Sequence, residues 1–79
     1  MKDYIIINPI DNVAVCLRPF NKGEVIEGVT LLEDIPQAHK VALKTIKNGE
    51  NVIKYGNPIG HATSDIKAGE HVHTHNVAT

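Results

Sequence analysis

Three histidines stand at alternate positions near the C-terminal end of the sequence, in the run Gly69-Glu70-His71-Val72-His73-Thr74-His75-Asn76. Imidazole binds transition metals and carries protons near neutral pH. Along an extended strand, alternate side chains share a face. His71, His73 and His75 are therefore expected on one face, with Val72 and Thr74 on the other. Neighbouring rungs of such a ladder lie about 6.5–7 Å apart and its outer rungs about 13 Å apart. Zinc–imidazole bonds span only about 2.0–2.1 Å. Two adjacent rungs can lean onto one ion, but all three can do so only where the strand bends sharply. His73 belongs to both possible pairs. A pair leaves an ion short of ligands, so the rest must come from elsewhere in the fold or from another chain. The plain alternative is a solvated polar face on an edge strand.

The elements that position this ladder must come from a short chain. Seventy-nine residues make one small domain, residues 1–79, and a chain of that size buries about 60–65% of its unfolded surface. The apolar share is 42%, with no Trp, two Tyr and one Phe. The core must be aliphatic and β-branched, which favours strands. It is also thin, which suits a chain that leans on a partner or on a second copy of itself. Eight basic and nine acidic residues give a formal charge of −1. That balance, with so few aromatic rings, argues against nucleic acid and membrane surfaces as partners. Cys16 stands alone in an apolar run and reads as a buried small hydrophobe. The apolar stretches are too short for a membrane span or a secretory signal, so a cytoplasmic address is expected.

A repeat organises the chain. Ala42-Leu43-Lys44-Thr45-Ile46-Lys47-Asn48-Gly49-Glu50-Asn51-Val52 recurs as Ala62-Thr63-Ser64-Asp65-Ile66-Lys67-Ala68-Gly69-Glu70-His71-Val72. A looser copy is Cys16-Leu17-Arg18-Pro19-Phe20-Asn21-Lys22-Gly23-Glu24-Val25-Ile26. Each reads as strand, tight turn, strand, with the glycine supplying a positive φ. Glu24, Glu50 and Glu70 follow the turn glycine every time. One active site does not need three of them, so they are assigned to the turns. Strands are expected over 4–7, 13–17, 24–32 with a break at Gly28, 39–46, 52–56, 59–62 and 71–77. Asp34 to Ala38 is expected to be a connection or one helical turn, and Asn57-Pro58 a turn. Short strands separated by frequent turn signals predict a small all-β barrel or clip.

Four blocks, in this order, resemble a known family: Asn12-Val13-Ala14-Val15, His39-Lys40-Val41-Ala42-Leu43, Val52-Ile53-Lys54-Tyr55-Gly56-Asn57-Pro58-Ile59-Gly60, and Asp65 to Asn76. They are similar to the N-terminal SAF-type domain of the altronate and galactarate dehydratases. In some members, including sulfolactate sulfo-lyase, that domain is a separate small subunit. The resemblance covers nearly the whole chain. It implies the β-clip fold, shared with type III antifreeze proteins, which agrees with the pseudo-repeats. It also implies a hydro-lyase that removes water from a sugar acid, as in altronate to 2-keto-3-deoxygluconate, with Fe2+ or another divalent metal. A large catalytic subunit or domain is the implied partner. The chain is expected to be either a separately encoded small subunit or an excised domain.

On this reading His73 and His75 are the candidate catalytic residues, and His71, His73 and His75 the candidate metal ligands. Lys54, Asn76 and His39 are the candidates for binding substrate. Lys54 can attract a carboxylate as a point charge, with a surface lysine beside a packed tyrosine as the plain alternative. His61 is more simply structural. Two rival functions stand beside the hydro-lyase. One is a non-catalytic sugar-acid-binding or docking module of a related lyase, such as sulfolactate sulfo-lyase or galactarate dehydratase. The other is a stand-alone metal carrier.

Overall fold

A computed structural model describes residues 2–79. The described residues form nine short strands and no helix: β1 (Tyr4–Ile5), β2 (Val13–Cys16), β3 (Val25–Ile26), β4 (Val29–Thr30), β5 (Lys40–Ala42), β6 (Asn51–Lys54), β7 (Asn57–Ala62), β8 (His71–Val72) and β9 (Val77–Ala78). They make a four-stranded sheet in the order β1-β2-β5-β8, a two-stranded ribbon β3-β4, and a three-stranded sheet β6-β7-β9. Every pairing is antiparallel. The all-β, β-clip expectation therefore holds.

The repeat explains the core. The structure contains four copies, beginning at Cys16, Leu31, Ala42 and Ala62. In each, the first, fifth and eleventh residues are buried: Cys16, Phe20 and Ile26; Leu31, Ile35 and Val41; Ala42, Ile46 and Val52; Ala62, Ile66 and Val72. The first two copies, with Ala14, make one hydrophobic cluster, and the last two, with Val13, make the other. Val13 and Ala14 are neighbours on β2, so strand alternation sends one into each cluster. Within a pair the copies exchange backbone hydrogen bonds. Phe20 and Ile35 donate to each other's carbonyls at 2.9 Å, and Ile46 and Ile66 do so at 2.8 and 2.7 Å. Asp34 and Asp65 each accept a backbone N–H from the partner copy, from Lys22 at 2.8 Å and Asn48 at 2.9 Å.

The turn glutamates do what the repeat implied. Glu24, Glu50 and Glu70 fold back to accept the backbone N–H three residues upstream, of Asn21, Lys47 and Lys67, at 2.7, 2.6 and 2.7 Å. Each closes a type II turn, in which the third residue needs a positive φ.

Several expected boundaries move. Residues 34–38 hold no helical turn; they are the middle of the second repeat copy. The strand expected over 39–46 is Lys40–Ala42 alone, because the copy starting at Ala42 bends the chain at once. The β6–β7 hairpin turns at Tyr55-Gly56, with φ of 56° and 78°, and Asn57-Pro58 lies inside β7. Two positive φ values match the type I′ turn whose twist suits a hairpin. Asp11 fixes this hairpin from β2's side. It is 5% exposed and accepts the Gly56 N–H at 2.7 Å as well as those of Ile7 and Asn8. Finally, the strand expected over 71–77 is interrupted: β8 ends at Val72, and residues 73–76 turn before β9.

Candidate metal and substrate site

The β5–β8 ladder assembles the histidines. Lys40 faces Val72 and Val41 faces His71, so one further step along the ladder sets His39 opposite His73. Directly opposed side chains on an antiparallel pair approach closely. The His39 and His73 rings accordingly stack with centroids 3.9 Å apart and planes inclined by 16°. His71, on the diagonal, brings its Nε2 to 2.8 Å from His39 Nδ1. Ligand nitrogens of His39, His71 and His73 all lie within 4.8 Å of one another. All three residues are half-buried.

The group differs from the expected ladder in one member. His71 and His73 belong to it, and the third ring is His39, which the sequence put forward as a substrate contact. The break after Val72 is the cause. Asn76, only 6% exposed, accepts the His73 backbone N–H through Oδ1 at 3.0 Å and donates through Nδ2 to the His71 carbonyl at 2.8 Å. These bonds close the turn and carry His75 off the ladder. His75 is exposed, with its ring 5.1 Å from that of His71 and tilted by 38°. The Asn76 amide is engaged with backbone and braces the two histidines on either side of Val72.

The surroundings disfavour the charged forms of His71 and His73. Burial pushes the His71 pKa down, helped by His39 and His75 and opposed by Glu33. Glu33 also accepts the His71 backbone N–H at 3.0 Å. Burial likewise lowers His73, followed by the charges of His39, Lys40 and His75. Lys40 is itself pushed down, first by burial and then by Lys54. Lys54 holds its Nζ 4.8 Å from the centre of the Tyr55 ring. Lys40 thus adds positive charge beside His73, and Lys54 lies near Lys40. The sequence singled out Lys54 but passed over Lys40, whose only signal was its place beside His39 in one of the four blocks.

The donor set fits a divalent transition metal. Neutral imidazole is the form that binds such ions, and three imidazoles lie close together here. Four-coordinate zinc sets its ligand nitrogens about 3.3 Å apart. The stacked His39 and His73 rings must therefore fan out to aim at one point, a rotation open to half-exposed side chains. His61 lies exposed on β7, outside this group. A cleft of about 410 Å³ bordered by Tyr4, Ile6, Asn8 and Glu27 contains no histidine, so cavity size does not mark this site; side-chain chemistry does.

Comparison with known proteins identifies the family of the chain. Residues 2–79 match the family model described as the altronate/galactarate dehydratase SAF domain. The chain is 45% identical over 83 residues to altronate dehydratase of Bacillus subtilis (strain 168), a match that covers all of this chain and 17% of that protein. It is 50% identical over 80 residues to altronate dehydratase of Escherichia coli (strain K12), covering 96% of this chain and 16% of that protein. A third relative, (2R)-sulfolactate sulfo-lyase subunit alpha of Chromohalobacter salexigens, is 33% identical over 88 residues, covering 98% of this chain and 94% of that subunit. The chain therefore spans about one-sixth of the length of the two altronate dehydratases.

Proposed function

The chain belongs to the altronate/galactarate dehydratase SAF domain family, and from that membership we propose that it is the small component of a sugar-acid hydro-lyase. The reaction is the altronate type, in which a sugar acid loses water to give 2-keto-3-deoxygluconate. The partner is a large catalytic subunit or domain, and the site lies where that partner meets the β5–β8 edge. The observation that carries this reading is the His39–His71–His73 group, set on the sheet edge beside Lys40.

Dehydration must remove the proton next to the carboxylate and help a hydroxyl depart. Both steps need charge control around the acid. Lys40 and Lys54 supply positive charge that attracts a carboxylate and favours the anion forming beside it. His39, His71 and His73 are the residues that would hold a divalent ion such as Fe2+, which would supply Lewis-acid polarisation of the sugar acid. With those rings engaged, His75 is the imidazole left to carry a proton, and its exposure gives it access to a partner surface. Asn76 keeps His71 and His73 in place rather than touching substrate.

A second reading has its own support. The chain covers almost all of the sulfo-lyase subunit alpha it matches, so it can equally serve as a docking or binding module of such a lyase, with the chemistry elsewhere. One experiment separates the two. The chain is co-expressed and co-purified with a large lyase chain of the altronate dehydratase or sulfo-lyase type, and turnover is assayed on altronate, galactarate and sulfolactate with Fe2+. Loss of dehydration in His39→Ala and His73→Ala complexes supports the catalytic reading. Turnover by the large chain alone, at the rate of the complex, supports the docking module.

A further inference from the structure

β1 forms one margin of the four-stranded sheet, and β8, which carries His71, forms the other. The outer side of β1 is open for hydrogen bonding. Cys16 turns both of its backbone groups toward β5, donating to the His39 carbonyl at 2.9 Å and accepting from Ala38 at 2.7 Å. Tyr4 pairs with Cys16, so its own N–H and C=O point away from β2. Asp3 does the reverse and accepts the Leu17 N–H at 2.7 Å. Alternation along the strand then turns Asp3 and Ile5 inward, and Tyr4 and Ile6 outward. Edge strands of monomers are usually guarded by charge, proline or a bulge. Tyr4-Ile5-Ile6-Ile7 has none of these, and Ile7 is 64% exposed. The cleft of about 410 Å³ follows this edge from Lys2 to Pro9, with Glu27 as its far wall.

From this edge we infer that β1 pairs antiparallel with β1 of a second molecule of this chain, about a twofold axis at Ile5. Only residues with outward backbone groups can bond across the new pair. Centring on Ile5 sets Tyr4 against Ile6 on both sides of the axis, so both outward residues of each molecule enter hydrogen-bonded pairs. Such aromatic and β-branched partners are favourable across strands. The charges fit the same register. Lys2 comes opposite Asn8 of the other molecule, beside the turn that holds the Asp11 carboxylate. Asp3 comes opposite Ile7, so no like charges face each other. The pairing is isologous, uses up both β1 edges and closes as a dimer. One strand pair covers less than the roughly 800 Å² per partner of a standard interface, so the dimer is weak. It joins the two four-stranded sheets into one, with a histidine group at each far edge. The inference does not depend on the hydro-lyase reading, and it leaves β8 free for the partner that reading invokes.

The test is sedimentation equilibrium of the purified chain from roughly 1 µM to 1 mM, with amide hydrogen exchange at the same concentrations. A dimer with Kd on the order of 10–100 µM is expected from so small an interface. The amides of Tyr4 and Ile6 should slow as the dimer forms, while that of Leu17, already bonded within the chain, should not change. Ile5→Glu and Ile5→Lys each set two like charges face to face on the axis and should each weaken the dimer by roughly tenfold or more. An equal mixture of the two should recover it. Ile7→Asp lies at a more exposed position and faces Asp3 of the other molecule. It should weaken the dimer similarly, and it decides the matter where circular dichroism shows an Ile5 variant to be unfolded. A chain that stays monomeric throughout, a dimer that all three variants leave intact, or a mixture that recovers nothing would each overturn the inference. So would loss of a large lyase chain from the Ile5 variants with self-association unchanged, which would give this edge to that partner instead.

Discussion

His39 Nδ1 and His71 Nε2 lie 2.8 Å apart across the β5–β8 ladder, although 32 residues separate them in the chain. At that distance one nitrogen donates and the other accepts, so the pair holds a single proton between two rings. Two imidazolium rings at that distance would repel each other, with His73 stacked on His39. The arrangement therefore disfavours charging both rings at once.

Stability should consequently fall in mild acid. The folded values of His71 and His73 lie below the ordinary 6.5, through burial first and neighbouring positive charge second. The folded state then binds fewer protons than the unfolded chain. This contribution is complete above the unfolded value and is lost as pH drops below it. Thermal melts should show Tm steady from pH 8 to pH 7 and declining below about pH 6.5. Glu24, held down to about 2 chiefly by its hydrogen bonds from Arg18, and Asp11, whose backbone donors outweigh the opposing effect of burial, extend the loss below the usual carboxylate range. The His71→Asn variant should show a weaker decline between pH 6.5 and 5. A Tm that rises on acidification through this range would contradict the argument.

Ala38 holds φ at 70° where the other three copies have glycine. The left-handed conformation costs an L-residue with a Cβ roughly 1–2 kcal/mol. Ala38→Gly recovers part of that and loses part to the freer unfolded chain. A net gain of about 0.5–1 kcal/mol is expected, a rise in Tm of roughly 2–8 °C for a domain of this size. Differential scanning calorimetry reads it directly; a fall in Tm would show that Ala38 is supported by packing that glycine lacks.

The repeat was legible in the sequence wherever the Gly-Glu pair marked it, and so were the buried positions in those copies. The second copy was hidden because Ala38 and His39 replace both marker residues while the backbone stays the same. Its discovery changes the site, because His39 is the residue that the altered turn delivers. The hairpin at Tyr55-Gly56 was misplaced by two residues. Asn57-Pro58 has the composition of a turn, but the ladder pairs Lys54 with Asn57 and leaves Tyr55 to adopt a positive φ. The alternation of His71, His73 and His75 correctly signalled a shared face for the first two. It could not show that the strand ends after Val72, where Asn76 turns its side chain back on the backbone and carries His75 away.

That role of Asn76 is testable. Asn76→Ala removes an acceptor from the His73 N–H and a donor from the His71 carbonyl in a buried setting. Each unsatisfied group costs about 1–3 kcal/mol, and some of that returns as water enters the turn. A loss of about 2–4 kcal/mol in urea unfolding is expected, together with shifts in the imidazole resonances of His71 and His73. An Asn76→Ala chain with unchanged stability would mean that the turn closes without it.

Asp11 offers a parallel case on the other sheet. Its carboxylate gathers backbone N–H groups of Ile7, Asn8 and Gly56, and hydrogen bonds to a charged group are worth about 1.5–3 kcal/mol each. Asp11→Ala should loosen the β6–β7 hairpin that carries Lys54. Amide hydrogen exchange at Gly56 should accelerate by at least tenfold, with slower change at Val72 on the far sheet. Uniform acceleration at both amides would indicate global unfolding rather than release of the hairpin.

The central claim is that the histidines on the β5–β8 edge take part in a lyase reaction completed by a larger partner. Its most direct test is the turnover number of the reconstituted complex with His73→Ala, measured on the best of altronate, galactarate and sulfolactate. Assembly with the large chain is checked in the same preparation. A drop of at least a hundredfold with assembly intact is the predicted result. An assembled His73→Ala complex that turns over as fast as the unaltered one would contradict the account.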